Sequence, residues 1–112
     1  MIINYSTGAP GSFFTITGTQ FPPDVNVELK VNGHTLGTIP SGTSGSSSFI
    51  LSTGLADEGF YTVTARVNPG AAVRFILDHD FDVRSQEGSY PIFDLPSGLA
   101  ATNIINLPLV NR

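Results

Sequence analysis

Apolar and polar side chains alternate with a period of two along most of the chain. In "VNVELKV", residues 25–31, every odd-numbered position is valine or leucine and every even-numbered position is polar. Since successive side chains of a strand point to opposite faces, this pattern predicts a β-strand with one buried face. Asn32-Gly33 follows directly, and this pair favours the two positive φ angles of a tight reversing turn. The sequence therefore predicts a β-hairpin from Val25 to Ile39.

Three further runs show the same alternation, namely "SFFTITG", "SFILST" and "FYTVTARV", and a fourth begins at Ala71 after the turn signal "NPG". Turn residues separate these runs at intervals of roughly ten residues, which is typical of a β-sandwich. The Gly/Ser-rich stretch "PSGTSGSSS", residues 40–48, is predicted to be a surface loop. The best helical stretch, "SGLAAT", is too short to be stable alone. The predicted fold class is therefore all-β.

The stretch "FILDHDFDVR", residues 75–84, allows two interpretations. Its odd-numbered residues are apolar apart from His79, which predicts one long strand or two collinear strands with His79 partly buried. Asp78, Asp80 and Asp82 then share a solvated sheet edge that resists edge-to-edge pairing. Alternatively, the three aspartates hold a calcium ion together with a neighbouring loop. An EF-hand loop is excluded, because Val83 occupies the required glycine position and Ser89 the position of the bidentate glutamate.

Composition narrows the class of protein. The chain has 112 residues, which is enough for one domain with a single core. Its net charge is −4 and its five basic residues do not cluster, so a nucleic-acid partner is not expected. Cysteine is absent, which excludes disulfides, thiolate zinc sites and a cysteine nucleophile. No apolar run approaches the roughly 20 residues of a membrane helix, so the chain is not expected to span a membrane.

Candidate chemistry is sparse. No G-x-S-x-G elbow is present, Asp57 and Glu58 are adjacent and diverge, and His34 lies in a turn where exposure is expected. We therefore assign no catalytic, cofactor-binding or metal-binding residue and expect no enzyme. Carbohydrate-binding modules also use β-sandwiches, and Phe13, Phe60 and Tyr61 would form a stacking platform if their rings faced outward from one sheet.

The order of the strands and turns resembles a known family. "GAPGSFFTITGTQFPPDVNVELKVNGHTLGTI", "GSSSFILST", "EGFYTVTARV" and "AAVRFIL" are similar to bacterial immunoglobulin-like modules of the IPT/TIG kind, over about residues 6–77. The resemblance implies an antiparallel immunoglobulin-like β-sandwich of about seven strands, used as a spacer, a stacking unit or an adhesive surface. It also implies that Tyr61 is a corner tyrosine whose hydroxyl bonds to nearby backbone. Because Gly18 lets the chain leave its strand and Pro22-Pro23 stiffen the crossing, the Phe21 ring is predicted to cover one end of the sandwich.

Residues 85–112 continue beyond this resemblance, so we divide the chain into a sandwich of residues 1–84 and a C-terminal extension of residues 85–112. The extension is too apolar to stay solvated, and we expect it to pack on the sandwich or on a partner. The ending "LPLVNR" resembles the Leu-Pro-Leu-Val-x-Arg ending of some secreted bacterial proteins. The apolar residues of the extension are Ile92, Phe93, Leu95, Leu99, Ile104, Ile105, Leu107, Leu109 and Val110.

The expected function follows from these observations. We expect a non-catalytic structural, adhesive or spacer module of an exported multidomain bacterial protein, secreted or at the cell surface, with its signal peptide upstream of this chain. It would act through protein–protein packing with the rest of its parent chain or with another copy. The alternative is a carbohydrate-binding β-sandwich whose partner is a polysaccharide.

Overall fold

The computed structural model describes residues 1–67 and 70–101, and within them the protein is all-β, with nine strands and no helix. The strands are β1 (Ile2–Ile3), β2 (Thr7–Gly8), β3 (Phe13–Gly18), β4 (Asn26–Val31), β5 (His34–Pro40), β6 (Ser47–Ser52), β7 (Gly59–Arg66), β8 (Ala71–Leu77) and β9 (Ile92–Asp94). They form a four-stranded sheet in the order β1-β3-β6-β9 and a five-stranded sheet in the order β2-β8-β7-β4-β5. We call these the four-stranded and the five-stranded sheet.

One apolar core joins the inner faces of the two sheets, so the fold is a β-sandwich. Phe14 and Ile16 of β3 and Phe49 and Leu51 of β6 contribute from one sheet, and they are almost fully buried. The alternating residues predicted in β4 and β7 contribute from the other sheet, which confirms those strands and their buried faces. These residues are Val27, Leu29, Val31, Tyr61, Val63 and Ala65.

The predicted hairpin is confirmed, with β4 and β5 paired antiparallel around Asn32-Gly33. Both turn residues have positive φ angles, 49° at Asn32 and 85° at Gly33. Val25 departs from the prediction, because β4 begins at Asn26 and the Val25 side chain is exposed.

Phe21 closes one end of the core, as expected. Its ring is buried and lies directly over Gly18, where a β-carbon would overlap it. The Gly/Ser-rich stretch beside it is only partly at the surface. Ser41 is fully buried, with its hydroxyl donating to the Pro22 carbonyl at 2.6 Å and accepting from the Val25 N–H at 3.1 Å.

The prediction for the aspartate stretch is wrong, because β8 ends at Leu77. Asp78 ends the strand locally, since its side-chain oxygen accepts the Asp80 N–H at 2.9 Å and its carbonyl accepts the Phe81 N–H at 3.0 Å. A turn therefore replaces the predicted long strand. Phe81 and Val83, which were expected to share the buried face, are exposed.

Both sheets are mixed rather than purely antiparallel, because β2 pairs in parallel with β8 and β9 pairs in parallel with β6. The second pairing involves the apolar extension. Ile92–Asp94 forms the edge strand of the four-stranded sheet, and Leu95 is fully buried in the core. The remaining apolar residues named above, Ile104, Ile105, Leu107, Leu109 and Val110, lie outside the described residues.

Candidate functional site

Charged side chains collect at the end of the five-stranded sheet where β7 begins and β8 ends. Gly59, the first residue of β7, pairs with Leu77, the last residue of β8. Glu58, just before β7, therefore lies beside Asp78, just after β8. The turn after Asp78 adds a histidine and a further aspartate. We call Glu58, Asp78, His79 and Asp80 the acid–histidine cluster.

His79 lies at the centre of this cluster. Its ring Nδ1 is 2.9 Å from Glu58 Oε2 and 3.6 Å from Asp78 Oδ1, and its Nε2 is 3.3 Å from Asp80 Oδ1. The same Glu58 oxygen accepts the backbone N–H of His79 at 2.9 Å. The side chain is 74% exposed, so the predicted partial burial of His79 is wrong, whereas His34 is exposed as predicted.

The carboxylates raise the pKa of His79 above its ordinary value. The largest cause is the hydrogen bond to Glu58, followed by the negative charge of Asp80. Each favours the protonated ring, because a nearby negative charge stabilises the imidazolium. The cluster is therefore a histidine held by three carboxylates in water rather than a buried acid–base pair.

Three members of the cluster could hold a divalent cation. One ligand atom from each of Glu58, Asp78 and His79 lies within 4.8 Å of the others, and carboxylate and imidazole groups both bind zinc and related ions. The hydrogen bonds among these residues also account for the close approach of their ligand atoms. This set differs from the alternative of a calcium ion held by Asp78, Asp80 and Asp82, because it contains Glu58 and His79. The three aspartates do not share a strand face, since β8 ends at Leu77.

A shallow groove adjoins the cluster on the outer side of the five-stranded sheet. It has a volume of about 260 Å³ and lies between the ends of β7 and β8, so we call it the β7–β8 groove. Phe60 and Ile76, which pair across the two strands, give it an apolar floor of half-buried side chains, and Glu58 and Asp78 provide a carboxylate rim. Such a surface suits an apolar side chain that lies beside a cation.

Asp57, next to the cluster, connects three parts of the molecule. Its carbonyl accepts the Tyr61 hydroxyl at 2.6 Å, which confirms the corner-tyrosine hydrogen bond that the resemblance implied. Its Oδ2 accepts the Gly98 N–H of the extension at 2.7 Å. Burial, and next the charge of Asp57, raise the pKa of Tyr61 to about 12, so its hydroxyl stays protonated and remains a donor.

The three rings proposed as a sugar-stacking platform are not brought together. Phe13 belongs to β3 of the four-stranded sheet, whereas Phe60 belongs to β7 of the five-stranded sheet. Tyr61 is buried and stacks on Phe75 with ring centroids 5.0 Å apart. The condition for a stacking platform, three rings facing outward from one sheet, is therefore not met by these residues.

The pairing of Glu58 with His79 was missed by sequence reasoning, although a signal for it exists. Counting outward equally from the Asn68-Pro69-Gly70 turn signal places Glu58 opposite Asp80, which follows His79. The observed register pairs Gly59 with Leu77 and brings Glu58 beside Asp78 instead. Treating residues 71–83 as a continuous strand hid this relationship, because it assigned His79 to the core face.

Comparison of the chain with known protein families, characterised proteins and solved structures finds no match. Within residues 1–67 and 70–101, the structure contains no helix of the length and apolar character needed to cross a membrane.

Proposed function

We propose that the chain is a non-catalytic, immunoglobulin-like structural or adhesive module of an exported multidomain protein, and that it acts through protein–protein packing. The resemblance of residues 6–77 to cell-surface modules supports the class and the location. A role in protein–protein packing is supported by exposed apolar side chains on the outer face of the four-stranded sheet.

The observation that carries the proposal is a pair of exposed isoleucines on the outer face of the four-stranded sheet. Ile2 pairs with Thr17, and Ile92 pairs with Ile50, which in turn lies opposite Thr15. Since Phe14 and Ile16 face the core, Thr15 and Thr17 face outward. Residues paired across neighbouring strands share a face, so Ile2, Ile50 and Ile92 also face outward. Ile2 is 68% exposed and Ile92 is 49% exposed, at opposite edges of this face.

The extension already covers part of the face between these edges. The Glu87 carbonyl accepts the Thr15 hydroxyl at 3.2 Å, and the Glu87 carboxylate accepts from Asn4 at 2.9 Å. Ile50, which faces outward on the same sheet, is fully buried. The exposed Ile2 and Ile92 offer apolar side chains to a partner at the two edges of this face.

A carbohydrate-binding role is the alternative. It lacks a comparable observation, because the rings proposed for it lie on different sheets or in the core. We therefore retain protein packing as the proposed function.

Sedimentation velocity over a series of protein concentrations tests the proposal. We expect the wild-type sedimentation coefficient to rise with concentration, and the rise to disappear in the double variant Ile2→Lys/Ile92→Lys. Leu55→Lys is the matched control, because Leu55 is 71% exposed but lies in the loop before β7. A wild-type coefficient that does not change with concentration, together with retention on a polysaccharide column, would favour the carbohydrate alternative.

A further inference from the structure

The Asn32 side chain ties the hairpin turn to two other segments of the chain. Its Oδ1 accepts the Thr62 N–H at 2.8 Å, and its Nδ2 donates to the carbonyls of Phe60 and Leu99, at 3.0 and 2.7 Å. The backbone N–H of Asn32 also donates to the Thr62 carbonyl at 3.0 Å. A single amide group therefore links the turn to the first part of β7 and to the C-terminal extension.

The extension occupies the position beside β7 that β4 leaves when it turns. β4 ends at Val31, which pairs with Val63 of β7. Farther along β7, the Phe60 N–H donates to the Ala101 carbonyl at 2.7 Å in an antiparallel bridge. Because Ile76 of β8 pairs with Phe60 from one side, Ala101 lies on the other side, in line with β4. The extension thus continues the sheet beyond the end of β4.

Residues 98–101, which we call the strap, are held by several contacts. Asp57 Oδ2 accepts the Gly98 N–H at 2.7 Å, and the Ala101 N–H donates to the Phe60 carbonyl at 3.1 Å. The apolar side chains of the strap pack against the core. Between the two ends, the Asn32 amide donates to the strap carbonyl at Leu99. The amide is therefore part of the attachment of the strap to β7.

Asn32 is the only asparagine in the chain that precedes glycine, which is the sequence in which an asparagine amide is most readily lost. In this reaction the Gly33 nitrogen bonds to Asn32 Cγ, the Cγ–Nδ2 bond breaks, and Nδ2 leaves as ammonia with the proton of the Gly33 N–H. Water then adds across either C–N bond of the resulting cyclic imide and gives aspartate or isoaspartate. Nothing lies within 4 Å of the Gly33 β-carbon position, and both residues are exposed to water. The turn is thus open to both steps.

We propose that Asn32 is a deamidation site whose reaction is suppressed by the strap, and that conversion of Asn32 releases the strap from β7. Formation of the imide removes Nδ2, so the hydrogen bonds to the Phe60 and Leu99 carbonyls must break for the reaction to occur. An attached strap therefore slows the reaction. The inference does not depend on the proposed packing function, which rests on the four-stranded sheet.

The products of deamidation no longer hold the strap. In aspartate, a carboxylate oxygen replaces the Nδ2 donor and faces two carbonyl oxygens, which repel it and lose their hydrogen bonds. Isoaspartate also adds a methylene group to the backbone of the turn between β4 and β5, where a two-residue loop requires a defined geometry. Attachment of the strap and integrity of the Asn32 amide therefore favour each other.

Deamidation kinetics of the full chain test the first part of the proposal. Peptide mass spectrometry measures the acid formed at residue 32 during incubation at neutral pH, and we expect the folded chain to react far more slowly than the same chain in urea. Asp57→Ala removes the acceptor of the Gly98 N–H and should accelerate the reaction of the folded chain roughly tenfold, the factor that one hydrogen bond to a carboxylate contributes to holding a segment in place.

Asp94→Ala is the matched control for these kinetics, because Asp94 is an exposed aspartate of β9 on the other sheet. We expect the Asp94→Ala protein to deamidate at the wild-type rate. An Asp57→Ala rate no faster than that of Asp94→Ala, or a folded rate equal to the rate in urea, would overturn the proposal.

Amide hydrogen exchange tests the second part. The Phe60 N–H donates to the Ala101 carbonyl, so its exchange rate reports the attachment of the strap. Asn32→Asp introduces the product carboxylate and should accelerate exchange at Phe60 and Ala101 while leaving the amides of β3 and β6 unchanged. Asn26→Asp is the matched control, because Asn26 is exposed at the start of β4. Unchanged exchange at Phe60 in Asn32→Asp, or an equal acceleration throughout β3 and β6, would overturn the proposal.

Discussion

Glu58 and His79 are joined through a single carboxylate oxygen. Glu58 Oε2 accepts the backbone N–H of His79 at 2.9 Å and lies 2.9 Å from its ring Nδ1. The two residues belong to different turns, one before β7 and one after β8, so this oxygen ties the turns together at the end of the sheet.

The first prediction concerns the charge of His79. Its pKa is raised in the folded protein, chiefly by the hydrogen bond to Glu58, so the folded state binds the proton more tightly than the unfolded state. The resulting stabilisation is fully present below the ordinary histidine pKa of about 6.5 and is lost as the pH rises through the folded pKa. A nuclear magnetic resonance titration of His79 should give a raised pKa, and Glu58→Gln should lower that pKa, because the hydrogen bond to Glu58 is the largest cause of the shift. A titration of His79 at or below the ordinary value would contradict the geometry.

The second prediction concerns the Tyr61 hydroxyl. Tyr61→Phe removes the hydrogen bond to the Asp57 carbonyl but keeps the buried ring stacked on Phe75. We expect the free energy of unfolding to fall by about 1 kcal/mol, the usual net value of one such bond. Urea denaturation measures the change, and Tyr90→Phe is the control because Tyr90 is exposed. Equal effects of the two substitutions would mean that the corner bond contributes nothing to stability.

The third prediction concerns the contact between Gly18 and Phe21. A β-carbon at Gly18 would overlap the Phe21 ring, which is buried against the core. Gly18→Ala should therefore lower the free energy of unfolding by about 1–3 kcal/mol, because the ring has to move within a packed interior. Gly54→Ala is the matched control, since nothing lies within 4 Å of its β-carbon position. Thermal unfolding compares the two, and a Gly18→Ala protein as stable as the control would show that the ring relocates without cost.

The fourth prediction concerns how firmly the extension belongs to the sandwich. Leu95 follows β9 and is fully buried, so Leu95→Ala should cost about 2–5 kcal/mol of unfolding free energy through lost burial and a new cavity. Leu55→Ala makes the same chemical change at an exposed site and should cost far less. Chemical denaturation monitored by tyrosine fluorescence measures both. Similar, small effects would indicate that residues 92–95 add little to the core.

Much of the fold could be predicted from local sequence. The alternation in β3, β4 and β7 identified the strands and their buried faces, because side-chain direction in a strand depends only on position along it. The Asn32-Gly33 turn was equally local, since both residues tolerate the positive φ angles that the structure shows. The Tyr61 hydrogen bond was implied by resemblance and is present.

The candidate site could not be predicted in the same way. Alternation of apolar and polar residues continued past Leu77, but Asp78 bonds the Asp80 N–H and so turns the backbone out of the sheet. A side chain that competes for backbone donors ends a strand without any change in the hydrophobic pattern. His79 consequently moved from the predicted core face to the solvent, where it meets Glu58.

By itself, the sequence determined that this protein is all-β, because period-two alternation and turn residues act over a few neighbouring positions. Only the tertiary structure decided that Ile92–Asp94 joins β6 in parallel, that outward-facing Ile50 is buried, and that Glu58 meets His79. Each of these depends on contacts between residues at least 21 positions apart. Packing of the whole chain, rather than local pattern, selects such pairings, because their free energy comes from surfaces that meet only after the sheets have formed.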